Sequence, residues 1–156
     1  MDEVQTLSEA ELQQAREVVE HLFTLLGVSG QSDVVDKDGI LDVSLDTDDT
    51  GMVIGYHGEV LEALQLVLSL MVSKRVDRYV RVSLEVGDYK KNRTEYLEQL
   101  AQQVKERAIE EHREQVLSSL KSWERRVVHM ALQNDDEVTS ESMGEGKERV
   151  LIVRPK

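Results

Sequence analysis

Three groups of side chains in this sequence have types and spacings suited to holding a polyanion. The first is VIGYHGEV, residues 53–60, where Gly55 and Gly58 stand three apart at the start of an apolar, helix-like run. Glycines permit positive φ and remove the Cβ atoms that keep a sugar-phosphate backbone at a distance. The helix behind them offers unpaired N–H groups and the positive end of its dipole to a phosphate. Between them Tyr56 can stack on a base or hydrogen-bond a phosphate, and His57 stands beside it. Neither is lysine or arginine, and Glu59 follows. The second group is Arg125 and His129, four apart and so on one face of a helix. A guanidinium fork beside an imidazole gives donors for phosphate and flat surfaces for base stacking. The third is a run of cations, Lys74, Arg75, Arg78 and Arg81, followed by Lys90, Lys91 and Arg93. They suggest a modest positive track from the glycine loop toward Arg125.

Each group also has a plainer reading. Paired glycines before a helix mark a tight turn, an arginine and a histidine at this spacing pair with neighbours, and a charge run is a solvated face. Other chemistry finds less support. DTDDTG (46–51) begins like a calcium loop, with Asp46 and Asp48 at its first and third positions and Gly51 at its sixth. His57 then falls where the bidentate glutamate is required, so the segment reads as a solvated loop. His21 and His112 have no second histidine at ligand spacing. Cysteine is absent, which excludes disulfides, thiolate zinc and thiol catalysis. No glycine-lysine loop supports nucleotide hydrolysis, and no motif pairs a carboxylate with a nucleophile. The expectation is a binding protein with no catalytic residue, no metal and no cofactor.

The elements that must position these groups are legible from pattern. Ser8 caps a helix to about Leu26, with Glu11 at the capping-box spacing and Leu12, Ala15, Val19 and Phe23 on its inner face. Asp33–Val35, the turn DKDG and ILDVSLD (40–46) predict a β-hairpin or two short strands. Residues 47–54 predict a short helix, and 59–74 an apolar helix broad enough to be buried on more than one side. YVRVSLEV (79–86) alternates as a strand. A long helix over 89–114 has Tyr96, Leu97, Leu100, Val104, Ala108 and Ile109 as its inner stripe. QVLSSL reads as a short strand. Ser122 caps a helix to about Gln133, whose Val127, Val128, Ala131 and Leu132 bury. Strands over 137–143 and 148–154, joined by GEG, close the chain.

Composition limits how these groups can act. The chain has 156 residues, 19 basic and 31 acidic, a formal charge of −12. The deficit is concentrated early: residues 1–73 hold two basic and fifteen acidic side chains, 74–126 thirteen and ten. Such a balance opposes broad, unselective phosphate binding and favours a local site. Hydrophobic residues make up 40 %, with six aromatics, so the core is aliphatic. No apolar run approaches eighteen residues, so no membrane insertion is expected. The N-terminus lacks the basic-then-apolar pattern of a signal peptide. A cytoplasmic location is therefore expected, and the NRT sequon at 92–94 is disregarded.

Strand, short helix, GxxG, apolar helix and strand is the order of a KH core, which clamps a few nucleotides of single strand. GMVIGYHGEVLEALQ (51–65) resembles the KH domain of the Jag (SpoIIIJ-associated) family of bacterial RNA-binding proteins. WERRVVHMALQND (123–135) with EVTSESMGEGKERVLIVRPK is similar to the small domain that ends them, named for an arginine and a histidine separated by three residues. The resemblance covers about residues 8–156 but not the N-terminal domain and basic linker with which many Jag proteins begin. It implies an α+β protein of two modules. A type II KH domain, a three-stranded sheet packed on helices, takes residues 1–87. An R-x-x-x-H domain, a three-stranded sheet with two helices, takes 88–156. It further implies sequence-tolerant binding of single-stranded RNA, with single-stranded DNA as a further alternative, the strand held by Gly55, Tyr56, His57 and Gly58 and by Arg125 and His129, with Arg126 as a further phosphate contact. A homodimer, or a heterodimer with a small KH protein, is implied as well. A protein-binding adaptor on the same scaffold is the alternative.

Overall fold

The computed structural model describes residues 6–156. They form an α+β chain that divides between Lys90 and Lys91 into two compact units, each with its own sheet and core.

The first unit opens with α1 (Glu9–Leu25), started as its sequence dictates. Ser8 Oγ accepts from Glu11 N–H at 3.2 Å while the Glu11 carboxylate accepts from Ser8 N–H at 2.8 Å, satisfying two orphan donors. β1 (Gln31–Lys37) and β2 (Ile40–Asp46) pair antiparallel across Asp38 and Gly39. Both turn residues have positive φ, 52° and 79°, as a two-residue hairpin turn requires. α2 (Thr50–Ile54) and α3 (Glu59–Val76) then cross over to β3 (Arg81–Val86), which lies parallel to β2. The sheet order is β1-β2-β3. Leu41, Val43, Leu45, Val82, Leu84 and Val86 share one parity and hence one face. There they join Ala15, Val19 and Phe23 of α1 and Leu61, Leu68 and Val72 of α3 in a single cluster. The expectation that α3 is buried on more than one side is corrected: Leu66 and Leu70 are 61 % and 62 % exposed, and Val67 is exposed beside them.

In the second unit α4 (Tyr89–Glu111, of which all but the first two residues belong here) packs with α5 (Ser122–Leu132) on a second sheet. That sheet has β6 (Val150–Pro155) at its centre, antiparallel to both β4 (Gln115–Leu117) and β5 (Val138–Met143). Leu97, Ala101, Val104 and Ala108 form the buried stripe of α4. Tyr96, expected inside, is 52 % exposed with the Arg93 guanidinium 5.0 Å above its ring, because it sits one residue off that stripe. In α5, Val128 and Leu132 are buried as expected, whereas Ala131 is exposed. Ser122 is not the cap but the first helical residue. The cap position is Lys121, whose N–H donates to Glu124 Oε2 at 2.9 Å. Among the described residues no helix is long and apolar enough to cross a membrane.

Candidate nucleic-acid interface

The glycine loop is a sharp turn made by three positive-φ residues: Gly55 (φ 69°), His57 (φ 48°) and Gly58 (φ 78°). Gly55 N–H donates to Gly51 O at 3.0 Å and closes α2, and Gly58 opens α3. A Cβ on Gly55 would lie 2.3 Å from Val60 Cγ2. One on Gly58 would lie 3.0 Å from Tyr89 Oη and 3.1 Å from its Cε1. The space freed by the missing side chains is therefore filled by the chain itself, not left open to a phosphate backbone. The glycines are required by the turn. On the outside of that turn stand Tyr56, 75 % exposed, and His57, their rings edge to face with centroids 4.1 Å apart. The N-terminus of α3 has no side-chain cap, but Glu59 and Glu62 in its first turn set negative charge against its dipole. This loop can offer backbone donors and stacking surfaces, not a cationic grip.

The expected cationic track is largely spent within the chain. Arg75 pairs with Glu17, Arg78 with Glu11, Lys90 with Glu85 and Arg93 with Glu124. The Arg78 pair reaches into α1, where it holds the Glu11 carboxyl at about 2, below the ordinary 4.5. The Ser8 backbone N–H is the second cause. Asp49, in the DTDDTG segment, is likewise committed. Its Oδ2 accepts from Ser29 N–H and Oγ at 3.0 and 3.1 Å.

The second unit keeps cations in reserve. Arg125, Arg126 and His129 of α5 line a shallow concavity of roughly 390 Å³ with Ser122, Ser142 and Arg149. Arg125 is anchored to neutral acceptors, Nη1 donating to Leu120 O at 2.6 Å and Nη2 to Ser122 Oγ at 3.1 Å. Arg126 and Arg149 are exposed and make no ion pair with the described residues. Three guanidiniums thus face one concavity without a carboxylate partner. Elsewhere in this unit Arg154 is held by Glu114 and Glu141, and Lys105 by Asp135 and Glu137. Those partners raise the Lys105 ammonium, Asp135 first, and depress the Asp135 carboxyl. His129 Nδ1 lies 2.7 Å from Ser140 Oγ, which fixes the ring and leaves Nε2 for a ligand. With the Ser140 hydroxyl donating, Nε2 carries the ring proton and can donate to an anionic group.

The concavity brings together Arg125, Arg126 and His129, which the sequence singles out, with Ser142 and Arg149, which it does not, and Ser140 reaches it only through His129. The serines had a signal: Val138, Ser140 and Ser142 alternate on the face of β5 whose Val138 is buried. Arg149 had none beyond its place before β6, and only the β5–β6 register, Met143 opposite Val150, brings it beside Ser142.

Two domain models match the chain: the KhpA/KhpB KH domain over residues 15–84 and the R-x-x-x-H domain over 95–155. The chain is 32 % identical over 149 residues to the RNA-binding protein KhpB of Clostridium symbiosum, covering 96 % of this chain and 66 % of that protein. It is 35 % identical over 113 residues to KhpB of Streptococcus pneumoniae, covering 72 % of this chain and 34 % of that one. With KhpB of Lactiplantibacillus plantarum the figures are 30 % over 128 residues, 82 % and 40 %. The chain therefore spans just under two thirds of the first relative and about a third of the second.

Proposed function

The chain belongs to the KhpB (Jag) family, in which a KH domain is followed by an R-x-x-x-H domain, and we propose that it binds single-stranded RNA with little sequence preference. The KH module takes about residues 1–87 and the R-x-x-x-H module about 88–156. The observation that carries the reading is the concavity lined by Arg125, Arg126 and Arg149, guanidiniums without carboxylate partners in a chain of net charge −12. Elsewhere, many cations are neutralised by neighbours; here they are held for something anionic. Phosphates of a single strand meet Arg125, Arg126, Arg149 and His129 Nε2. Tyr56 and His57 stack on, or donate to, a second stretch of strand at the glycine turn. No bond is made or broken in this function, and it is exercised in the cytoplasm, in post-transcriptional regulation. A second KH-containing chain, alike or different, covers the exposed Leu66, Val67 and Leu70 of α3, an apolar strip unusual on a solvated helix.

Fluorescence anisotropy with labelled single-stranded RNA and DNA at two salt concentrations tests the reading. Gly58→Asp is a poor probe, because Tyr89 occupies the space the new side chain needs. Tyr56→Ala with His57→Asn, and Arg126→Ala with His129→Ala, alter exposed groups only. Each pair is expected to weaken RNA binding by about tenfold, on the order of 1.4 kcal/mol. Absence of binding to either strand at low salt overturns the proposal and leaves a protein-binding adaptor, for which the acidic first unit is suited. Equal affinity for DNA removes any role for the 2′-hydroxyl. Full binding by both variants places the surface elsewhere.

A further inference from the structure

α5 has a second open flank. Between it and α4 lies a groove of roughly 490 Å³ lined by Thr94, Glu98, Trp123, Arg126, Val127, Met130 and Ala131. Its walls are chiefly apolar, and Met130 is 56 % exposed. Arg126 borders both this groove and the cationic concavity, so one guanidinium joins the two across the helix. The chemistry of the flanks differs. The concavity holds arginines without acids, while the groove holds a carboxylate, Glu98, and a hydroxyl, Thr94, at its α4 edge. A phosphate is attracted to the first and repelled by the second. A flat apolar ring with N–H donors on its rim has the opposite preference.

Resting on the RNA-binding reading, we propose that this groove is a nucleobase subsite for the residue whose phosphate lies at Arg125, Arg126 and Arg149. The base packs against Trp123, Val127 and Met130, with its donor edge toward Glu98. Among the four bases guanine fits best. Its N1–H and N2–H lie side by side, the bidentate complement of a carboxylate, whereas uracil offers one N–H between two carbonyls that the carboxylate repels. The module then tolerates most sequences but favours guanine at one position, and Arg126 sets the spacing between phosphate and base.

The only tryptophan of the chain lies in this groove, so its fluorescence reports occupancy directly. The test titrates the full chain with a uridine oligomer of about twelve nucleotides, longer than the roughly four that a KH loop clamps, and with the same oligomer carrying one central guanosine. Tryptophan emission and the anisotropy of the labelled RNA are read together. The guanosine oligomer is expected to change Trp123 emission and to bind about fivefold more tightly, roughly 1 kcal/mol. Glu98→Gln, an exposed change that leaves the core intact, is expected to bring the ratio of the two affinities near one. Binding by anisotropy with unchanged Trp123 emission, or a guanosine preference that Glu98→Gln retains, overturns the subsite while RNA binding stands. No binding of either oligomer overturns both.

Discussion

At the scale of single residues, the glycine turn separates two roles that its motif merges. Gly55 and Gly58 are demanded by backbone angles and by Val60 and Tyr89, whereas Tyr56 and His57 face outward. Gly58→Ala is expected to lose about 1–2 kcal/mol, the cost of a left-handed non-glycine residue, plus what Tyr89 must give. Gly55→Ala is expected to lose more, since its Cβ would lie 2.3 Å from Val60. Urea unfolding of the two variants checks both the losses and their order. Glu11 supports a second prediction. Its folded pKa of about 2 lies below the ordinary 4.5, so its contribution is fully present above 4.5 and is lost as pH falls toward 2. Glu11→Gln is expected to lower stability at neutral pH and to flatten the decline between those values, as measured by thermal unfolding across acid pH.

At the scale of elements, the joint between α4 and α5 rests on a buried charge. Glu124 is fully buried; Oε1 accepts from Arg93 Nε at 2.7 Å and Oε2 from Lys121 N–H. One carboxylate thus caps α5 and ties it to α4, fixing the helix that carries Arg125, Arg126 and His129. Arg93→Met leaves that carboxylate buried without its cation and is expected to cost about 3 kcal/mol. Adding Glu124→Leu is expected to restore part of that loss, because two apolar groups replace the pair. Chemical denaturation of the single and double variants measures the difference. The sequence hid this joint while showing much else. Ser8–Glu11, the DKDG hairpin and the order of helices and strands were legible because their causes lie within a few residues. The Arg93–Glu124 pair spans 31 positions. Ser122 drew attention as a cap because hydroxyls favour that position, yet a glutamate three residues after Lys121 satisfied the helix end instead. The parallel pairing of β2 with β3 depends in the same way on partners far apart in sequence.

At the scale of the whole molecule, charge is distributed by unit. Residues 1–90 carry seven basic and eighteen acidic side chains, and residues 91–156 twelve and thirteen. The long-range field of the chain repels any polyanion, and the attraction proposed for the concavity is confined to within a Debye length of it. On the proposed reading few phosphates are neutralised. The logarithm of affinity is therefore expected to fall with the logarithm of salt with a slope of about −2, near 0.7 per phosphate for three arginines on a single strand. Titrations over a range of potassium chloride give the slope directly. A slope several times steeper would show many more phosphate contacts than this surface provides. The cations expected to lengthen the track were plain in the sequence, but their partners were not. Arg75, Arg78 and Arg93 each meet a glutamate that only folding brings near, and Lys90 meets Glu85, five residues before it.

The outward placement of Tyr56 and His57 makes the turn a replaceable cassette. The glycines and Val60 hold its geometry, so the two positions between them are free to be recoded. His57 already sits at φ 48°, which asparagine or glycine accepts readily. A randomised library at these two positions would sample ligand chemistry on a fixed frame. Basic pairs recovered by selection for tighter RNA binding would give the turn ionic contacts at little cost in stability.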